Sequence, residues 1–567
     1  MRTSLALRLI ASAGIVSALC AQEAARQPNP LSTHARQYLQ ARVFELGLDA
    51  TNNFTARNVH HDELGEDHIR VDQSYQGVKV FGGEAIVHMR EGAVRDVTDA
   101  LVRGIKLNPT PTIGTSEALA AAHQSLAPKG AYANAPTAEL VFAKVEREIP
   151  VRGMIRGGER TRTVSRMALV YHIHTELENG TEETSHTDFF VDAHSGAILK
   201  SWSTLETGKP GGSSTGGIAG TAAVGTGNSQ YSGTVALNTT LATAGGYALQ
   251  DMIRGTGGTF GHNVVTNMNH ATRGNGTIYQ GDADNTWGDG TNYVTGSSTT
   301  AANGQTAGVD AAFGIQATWD MYKTALGRNG IDNTGKASYL RVHYSTSYDN
   351  AFWSDSCFCM TFGDGSSFTV LTSIDVAGHE MSHGVTATSA NLTYSGESGG
   401  LNEGNSDIMG TMVEFYSRSG SGSTIGGIGG NYTIGEQLSA TPLRYMYKPS
   451  LDGLSPDFWY SGIGSLDVHY SSGVANHFYF LLSHGSQIDA LSGNIQSPMT
   501  NGVTSIVGIG NDHATRIWFR ALTVYMTSST NYAGARVATL KAATDLYGAA
   551  SAEYATAAKA WTAVNVN

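Results

Sequence analysis

His379, Glu380 and His383 stand in the pattern His-Glu-x-x-His. On a helix, residues four apart share a face, so both imidazoles would reach one divalent cation together. Glu380 would then lie beside a water activated by that cation and could take its proton. Two protein ligands leave such a cation incomplete, because a catalytic zinc usually holds three and keeps one position open. Downstream, Ile408, Met412 and Phe415 recur at i, i+4 and i+7, the period of an amphipathic helix. Glu403 and Asp407 share its other face. Glu403 is the candidate third ligand, and Asp407 the candidate acceptor for a ligand histidine's free ring N–H. Carboxylates are usually solvated, but the apolar run beside these two argues for burial, and buried carboxylates need partners.

The elements that must position these groups fall into two regions. Residues 218–372 are rich in Gly, Thr and Asn with short strand-like runs, interrupted by a helix over Val309 to Leu326. Residues 373–567 read as mainly helical, over 374–390, 402–416, 471–484, 512–527, 532–547 and 551–562. The fold class is α+β: a β-rich N-lobe and an α-helical C-lobe, with the metal helix at their junction, where clefts form. Ahead of them, residues 36–104 mix helical and strand periods. Residues 112–203 begin with an Ala-rich helix (Ser116 to Leu126) and end in a hairpin with Gly196 at its turn. The segment 204–217 contains Lys209-Pro210-Gly211-Gly212-Ser213-Ser214, an exposed linker by composition.

At the N-terminus, Arg2 and Arg8 precede the apolar run Leu9 to Leu19, so residues 1–21 read as a secretory signal peptide. The run is too short to span a bilayer, and no later segment reaches the ~18 apolar residues that spanning needs. The net charge is −12, and from Leu205 onward 15 Lys and Arg face 25 Asp and Glu. An acidic surface without a basic stripe argues against nucleic acid and anionic membranes as partners. Cys20 would leave with the signal, so Cys357 and Cys359 remain, either as a tight disulfide or as two thiols. No soft ligands lie near enough in sequence to make them a metal site.

The motif continues beyond its core. The 20-residue step from His383 to Glu403, followed by Ser406-Asp407, resembles the thermolysin family of gluzincin metalloendopeptidases. Asn350-Ala351-Phe352-Trp353, Phe362-Gly363-Asp364-Gly365, Leu443-Arg444-Tyr445-Met446 and Asp467-Val468-His469-Tyr470 fall in family order, the last two resembling the pseudolysin and vibriolysin branch. The resemblance implies a two-lobed zinc endopeptidase acting on protein and peptide substrates. It implies His379, His383 and Glu403 as ligands of one catalytic Zn2+ and Glu380 as general base. Tyr394 and His469 become oxyanion donors, with Asp467 orienting His469. Arg444 becomes the grip on a substrate carbonyl, and Asn350 and Ala351 the edge that pairs with an extended peptide. Phe368, Leu371, Val376, Ile434 and Leu443 match the apolar S1′ wall, which implies cleavage before bulky hydrophobic residues. Asp375, Glu414 and Glu436 match calcium ligands. Asn431, Thr411 and Thr433 stand at positions that are acidic in relatives, so one structural Ca2+ is expected; Asp282 and Asp284 read as a surface turn.

Residues 36–104, with Tyr75-Gln76-Gly77-Val78, resemble the fungalysin/thermolysin propeptide domain, and 112–203 a PepSY domain. The expectation is a secreted zymogen whose own propeptide is chaperone and inhibitor, cut within 204–217, and monomeric once mature. The alternative is a catalytically silent zinc-binding or adhesive protein on the same scaffold. The presence of Glu380, Tyr394 and His469 weighs against it.

Overall fold

The structure, a computed structural model, describes residues 29–151, 160–179, 184–205 and 216–567. The expected signal peptide lies outside the described residues, as does most of the 204–217 linker. The chain opens with α1 (Pro30–Ala41), where Pro30 takes the first turn and the Asn29 side chain accepts from Leu31 N–H at 2.9 Å. This cap starts the first unit several residues before the expected boundary at 36. Ala35 and Leu39, one turn apart, bury against Ile69, Val71 and Val87.

Eight strands follow: β1 (Asn52–His61), β2 (Glu66–Tyr75), β3 (Val78–Arg90) and β4 (Ala93–Asp99), then, after α2 (Thr115–Leu126), β5 (Thr137–Val151), β6 (Arg160–Leu177), β7 (Ser185–Asp192) and β8 (Ile198–Ser203). They form one sheet in the order β1-β2-β3-β5-β6-β7-β8, with β4 on β3. The two expected units therefore share a sheet, joined where β3 runs parallel to β5 through Lys79↔Val141 and Val80↔Phe142.

The N-lobe contains β9 (Gly220–Ser229), β10 (Gly233–Ala242), β11 (Tyr247–Ala248), β12 (Gln250–Asp251), β13 (Asn263–Asn267), β14 (Thr277–Ile278), β15 (Gln280–Asp282) and β16 (Thr286–Trp287). Then come α3 (Ala302–Asp320), continued by a π turn to Ala325, and β17 (Tyr339–Tyr344), β18 (Ala351–Ser354) and β19 (Cys359–Gly363). One sheet runs β15-β11-β10-β9-β16; the other runs β12-β13-β17-β19-β18, with β14 on β13 and β18 at its edge. Cys357 and Cys359 form a disulfide where the chain turns between β18 and β19, which decides between the two sequence readings.

The C-lobe begins with α4 (Ile374–Ala387) and α5 (Gly396–Ser419), followed by the short pair β20 (Thr433–Ile434) and β21 (Arg444–Tyr445). Five helices complete it: α6 (Val468–Ser471), α7 (Gly473–Ser483), α8 (Asn511–Arg520, continued by a π turn to Tyr525), α9 (Tyr532–Tyr547) and α10 (Ala552–Ala563). The helix expected over 471–484 is α7, and it is preceded by the short α6, which the Asp467 carboxylate caps by accepting from His469 N–H at 3.0 Å. A single apolar core crosses both lobes, from Trp353 and Phe362 through Met381 and Leu401 to Phe478 and Trp561. α4 runs through that core and is buried on nearly all sides, so its polar residues must find partners inside the protein.

Candidate active site

α4 and α5 approach closely because glycine stands at their contact. A Cβ on Gly410 would lie 2.3 Å from the Asp375 carbonyl oxygen, and one on Gly378 would lie 3.0 Å from the Gly410 Cα. Across this contact the expected metal residues converge. His379 Nε2 lies 3.0 Å from His383 Nε2 and 3.6 Å from Glu403 Oε2, and His383 Nε2 lies 3.4 Å from Glu403 Oε1. Glu403 and Asp407 are fully buried, not solvated.

The outer hydrogen bonds fix the protons. Asp407 Oδ1 accepts from His379 Nδ1 at 2.9 Å. Asn402 donates its amide N–H to the Leu392 carbonyl at 3.1 Å, so its oxygen, 2.9 Å from His383 Nδ1, must be the acceptor there. Both rings thus spend their Nδ1–H outward, and the two Nε2 lone pairs face each other. Two acceptors at that distance repel unless a cation lies between them. Glu403 Oε2 adds a buried oxygen with no hydrogen-bond partner among the described residues. Two imidazole nitrogens and one carboxylate oxygen are the donor set of a catalytic zinc, and these residues fit it.

The groups beside this triad line a cleft of about 400 Å³ between the lobes. Burial pushes the Glu380 carboxyl up to about 7, with the Glu403 charge adding to the shift and His379 opposing it. Tyr394 donates its hydroxyl proton to Glu403 Oε1, and its oxygen lies 3.3 Å from His469 Nε2. Asp467 Oδ1 accepts from His469 Nδ1 at 2.7 Å, aiming Nε2 into the cleft. Arg444 is held on two arms by Asp407, Nε to Oδ2 at 2.7 Å and Nη2 to Oδ1 at 2.6 Å, and its side chain reaches the cleft wall. Asn350 and Ala351 both line the cleft, Ala351 as the first residue of the edge strand β18 and Asn350 just before it.

The chain matches "Thermolysin metallopeptidase, catalytic domain" over residues 224–387 and "Thermolysin metallopeptidase, alpha-helical domain" over 390–566. The "Fungalysin/Thermolysin Propeptide Motif" matches 52–101. Thermolysin of Alicyclobacillus acidocaldarius is 32% identical over 534 residues, covering 93% of this chain and 88% of its own. This chain belongs to the thermolysin family. Bacillolysin of Bacillus cereus is 31% identical over 563 residues, covering 92% of this chain and 87% of its own. The transglutaminase-activating metalloprotease of Streptomyces mobaraensis is 41% identical over 532 residues; 92% of this chain matches, and the match spans 62% of that longer relative.

Against the thermolysin-family expectation for the S1′ wall, one residue is corrected. Leu371, Val376, Ile434 and Leu443 line the cleft, but Phe368 does not, and Leu438 does. Phe368 belongs to a turn wrapped around Asp349, whose carboxylate accepts from the backbone N–H of Ser366 (2.5 Å), Ser367 (3.0 Å) and Phe368 (3.4 Å). Asn402 and Asn476 are functional neighbours that the sequence reading leaves out. Asn402 stands inside the Asn-Glu-x-x-Ser-Asp stretch and could have been found there. Asn476, which donates to Asp407 Oδ2 at 2.7 Å, is a lone asparagine in an apolar helix and carries no sequence signal.

The acidic residues assigned to calcium meet at the far end of the same two helices. Asp375 accepts from Gly435 N–H (2.6 Å) and the Ser373 hydroxyl (2.6 Å), and Glu436 accepts from Asn431 Nδ2 (2.9 Å). Burial and the charges of Asp375 and Glu436 push Glu414 up to about 8, although Arg418 lies 2.9 Å away. Asp282 forms a turn of the expected kind, accepting from the backbone of Asp284 and Asn285. From the N-terminal region, Trp202, Ser203 and Leu205 enter the cleft wall beside His379 and Glu380. Leu205 packs against Met268, Tyr344, Tyr348 and Phe352.

Proposed function

We propose that this protein is a secreted zinc metalloendopeptidase made as a zymogen, cutting peptide bonds on the N-terminal side of bulky hydrophobic residues. The observation that carries the reading is the convergence of His379, His383 and Glu403 beside Glu380 in a cleft with apolar walls. When bound, the zinc would acidify a water and polarise the scissile carbonyl. Glu380 would take the water's proton and pass it to the departing amine. Tyr394 and His469 are close enough together to donate to one oxyanion. Arg444, pinned by Asp407, would hold the next carbonyl, and the free edge of β18 would pair with an extended substrate.

The N-terminal region is the propeptide, and the placement of Trp202 and Leu205 at the cleft supports inhibition by occupancy. We assign 36–104 and 112–203 as propeptide units, the second of PepSY type, with maturation within 204–217. One Ca2+ is assigned to Asp375, Glu414 and Glu436, whose mutual repulsion a divalent ion would relieve. Arg418 supplies part of the compensating charge, which supports a single ion. Secretion as a monomer belongs to the same reading; among the described residues no helix is long and apolar enough to cross a membrane. The silent-scaffold alternative has no observation in its favour. Casein hydrolysis by the purified protein, with and without a zinc chelator, tests the reading together with N-terminal sequencing of the mature form. Activity that survives complete zinc removal would refute it.

A further inference from the structure

The face of β2 and β3 that meets the catalytic domain carries a row of buried charged and titratable groups. Arg70 donates to the carbonyls of Thr523 (3.0 Å) and Met526 (2.8 Å), capping the C-terminal end of α8 and its π turn. Glu84 accepts from Ser528 N–H. Beside them His68 and His88, directly paired across the two strands, are 1% and 3% exposed, and their Nδ1 atoms are 2.8 Å apart. His68 Nε2 lies 3.0 Å from Asp62 Oδ2, which also accepts from Arg520 of α8 at 2.7 Å. His88 Nε2 lies 2.9 Å from the Thr98 hydroxyl.

This wiring has one neutral solution. Asp62 only accepts, since its Oδ1 already takes Leu64 N–H and Glu66 N–H. His68 must therefore donate from Nε2 and accept at Nδ1. His88 must then donate from Nδ1 and accept the Thr98 proton at Nε2. A first extra proton forces a tautomer change on His88; a second sets N–H against N–H across the short contact. The surroundings do not welcome the charge. His60 stacks on His68 at 5.9 Å, and Arg70 and Arg520 flank the pair. The Tyr525 ring lies 5.2 Å from His88. The nearby carboxylates are already engaged: Asp62 and Asp545 by Arg520, Asp96 by Lys541, Glu66 by Arg90 and Arg95, and Glu84 by Arg57.

We propose that His88, locked against His68, is a pH gate on propeptide docking: acidification puts a proton on the His88 ring and releases the β2–β3 face from α8. The proposal rests on the zymogen reading above and adds the trigger. Burial pulls His88 down to about 3, and burial pulls His60 down to about 4, with the charge of His68 next in each case. A group depressed in the docked state stabilises docking above its free value near 6.5 and withdraws that support as pH falls below it. Each proton taken up shifts the docking equilibrium about tenfold per pH unit. The second propeptide unit is wired the other way. His172 and His174 both contact Asp188 at 2.6 Å, and His174 also contacts Glu176 at 2.9 Å. Against the effect of burial, these acids hold His174 up to about 9, so it is already charged at neutrality and gives no acid release.

The test uses the full chain carrying Glu380→Gln, which cannot cut itself, in hydrogen exchange corrected for intrinsic rates between pH 7.5 and 5.5. Protection of peptides within 66–90 and 511–528 should fall about fivefold between pH 6.5 and 5.5 for one proton taken up with a free value near 6.5, and up to about thirtyfold for two. Peptides within 164–203 should hold their protection. Adding His68→Gln and His88→Gln should flatten the response. Protection that stays flat in the parent, or falls equally in the histidine variant, would overturn the gate. If that variant does not fold, imidazole titration in the Glu380→Gln chain decides: a midpoint near 6.5 for His88 with protection intact refutes the proposal. Peptide hydrolysis by the wild-type precursor at pH 7.5 is a separate check. A precursor as active as the matured form would sink the zymogen reading without touching the exchange data.

Discussion

Replacing Asp407 by Asn should damage stability and metal binding for two separable reasons. The carboxylate is fully buried and accepts from His379 Nδ1 (2.9 Å), Arg444 Nη2 (2.6 Å), Arg444 Nε (2.7 Å) and Asn476 Nδ2 (2.7 Å). An asparagine can keep its oxygen toward His379 and Arg444 Nη2. Its amide group would then face Arg444 Nε–H and the Asn476 amide, donor against donor. Asn476 can flip, because its own oxygen has no partner among the described residues, but Arg444 cannot. The guanidinium is left buried without its counter-charge, a loss of about 3–5 kcal/mol. At roughly 2–4 °C per kcal/mol for a lobe of this size, melting should fall by on the order of 10 °C. His379 also loses a charged anchor, which should weaken zinc binding about 10–100-fold. Adding Arg444→Met to Asp407→Asn removes the orphan charge and should restore most of the melting temperature without restoring zinc affinity. Thermal denaturation and zinc competition against a chelator, both in a Glu380→Ala background, read the two effects. The reasoning fails if Asp407→Asn melts within about 1 kcal/mol of its parent, or if both properties recover together in the double variant.

Glu380→Ala should bind zinc normally, lose at least about 10²-fold in turnover and accumulate as uncleaved precursor; metal analysis beside an activity assay checks this. Trp202→Ala with Leu205→Ala, which strips the propeptide's contribution to the cleft wall, should raise hydrolysis of a short peptide by the uncut precursor, measured before any maturation band appears. Gly410→Ala sets a methyl 2.3 Å from the Asp375 carbonyl and should cost about 1–3 kcal/mol as α4 and α5 are forced apart, seen as lower melting with weaker zinc binding. Sequencing the fragments of a denatured protein should show Leu or Phe after the cut, at least about tenfold over Asp or Lys, since a charged side chain would be desolvated in that pocket without a partner.

The metal site was legible because its logic is periodic. His379 and His383, and Glu403 and Asp407, are one helical turn apart, and helical spacing is the strongest local signal a sequence carries. Helix ends were less legible, because caps such as Asn29 and Asp467 act through single side chains. The joining of the two propeptide units into one sheet was not visible at all. The β3–β5 pairing links residues some sixty positions apart, and nothing local encodes which strand edge meets which. Phe368 was placed on the S1′ wall by family resemblance alone, and no local signal shows that its backbone joins the turn around Asp349. The buried histidines of β2 and β3 carry no local signal, because the Arg520 and Tyr525 that face them come from a distant part of the chain.

The same periodicity explains why one pair of helices can carry all three zinc-binding groups and the carboxylate behind them. On α4, residues 375, 379 and 383 repeat every four positions and trace one stripe. On α5, residues 403, 407 and 414 are separated by four and seven, so they also fall on one face. The stripes run antiparallel. Asp375 and Glu414 meet at one end, His379 and Asp407 in the middle, and His383 meets Asn402 and Glu403 at the other. Gly378 and Gly410 occupy the contact between the stripes, where any side chain would hold the helices too far apart for those pairs to form. A divalent ion among the acids would therefore brace the same two helices that aim the zinc ligands. Removing it should loosen the ligand geometry along their length, although the acids themselves touch no substrate.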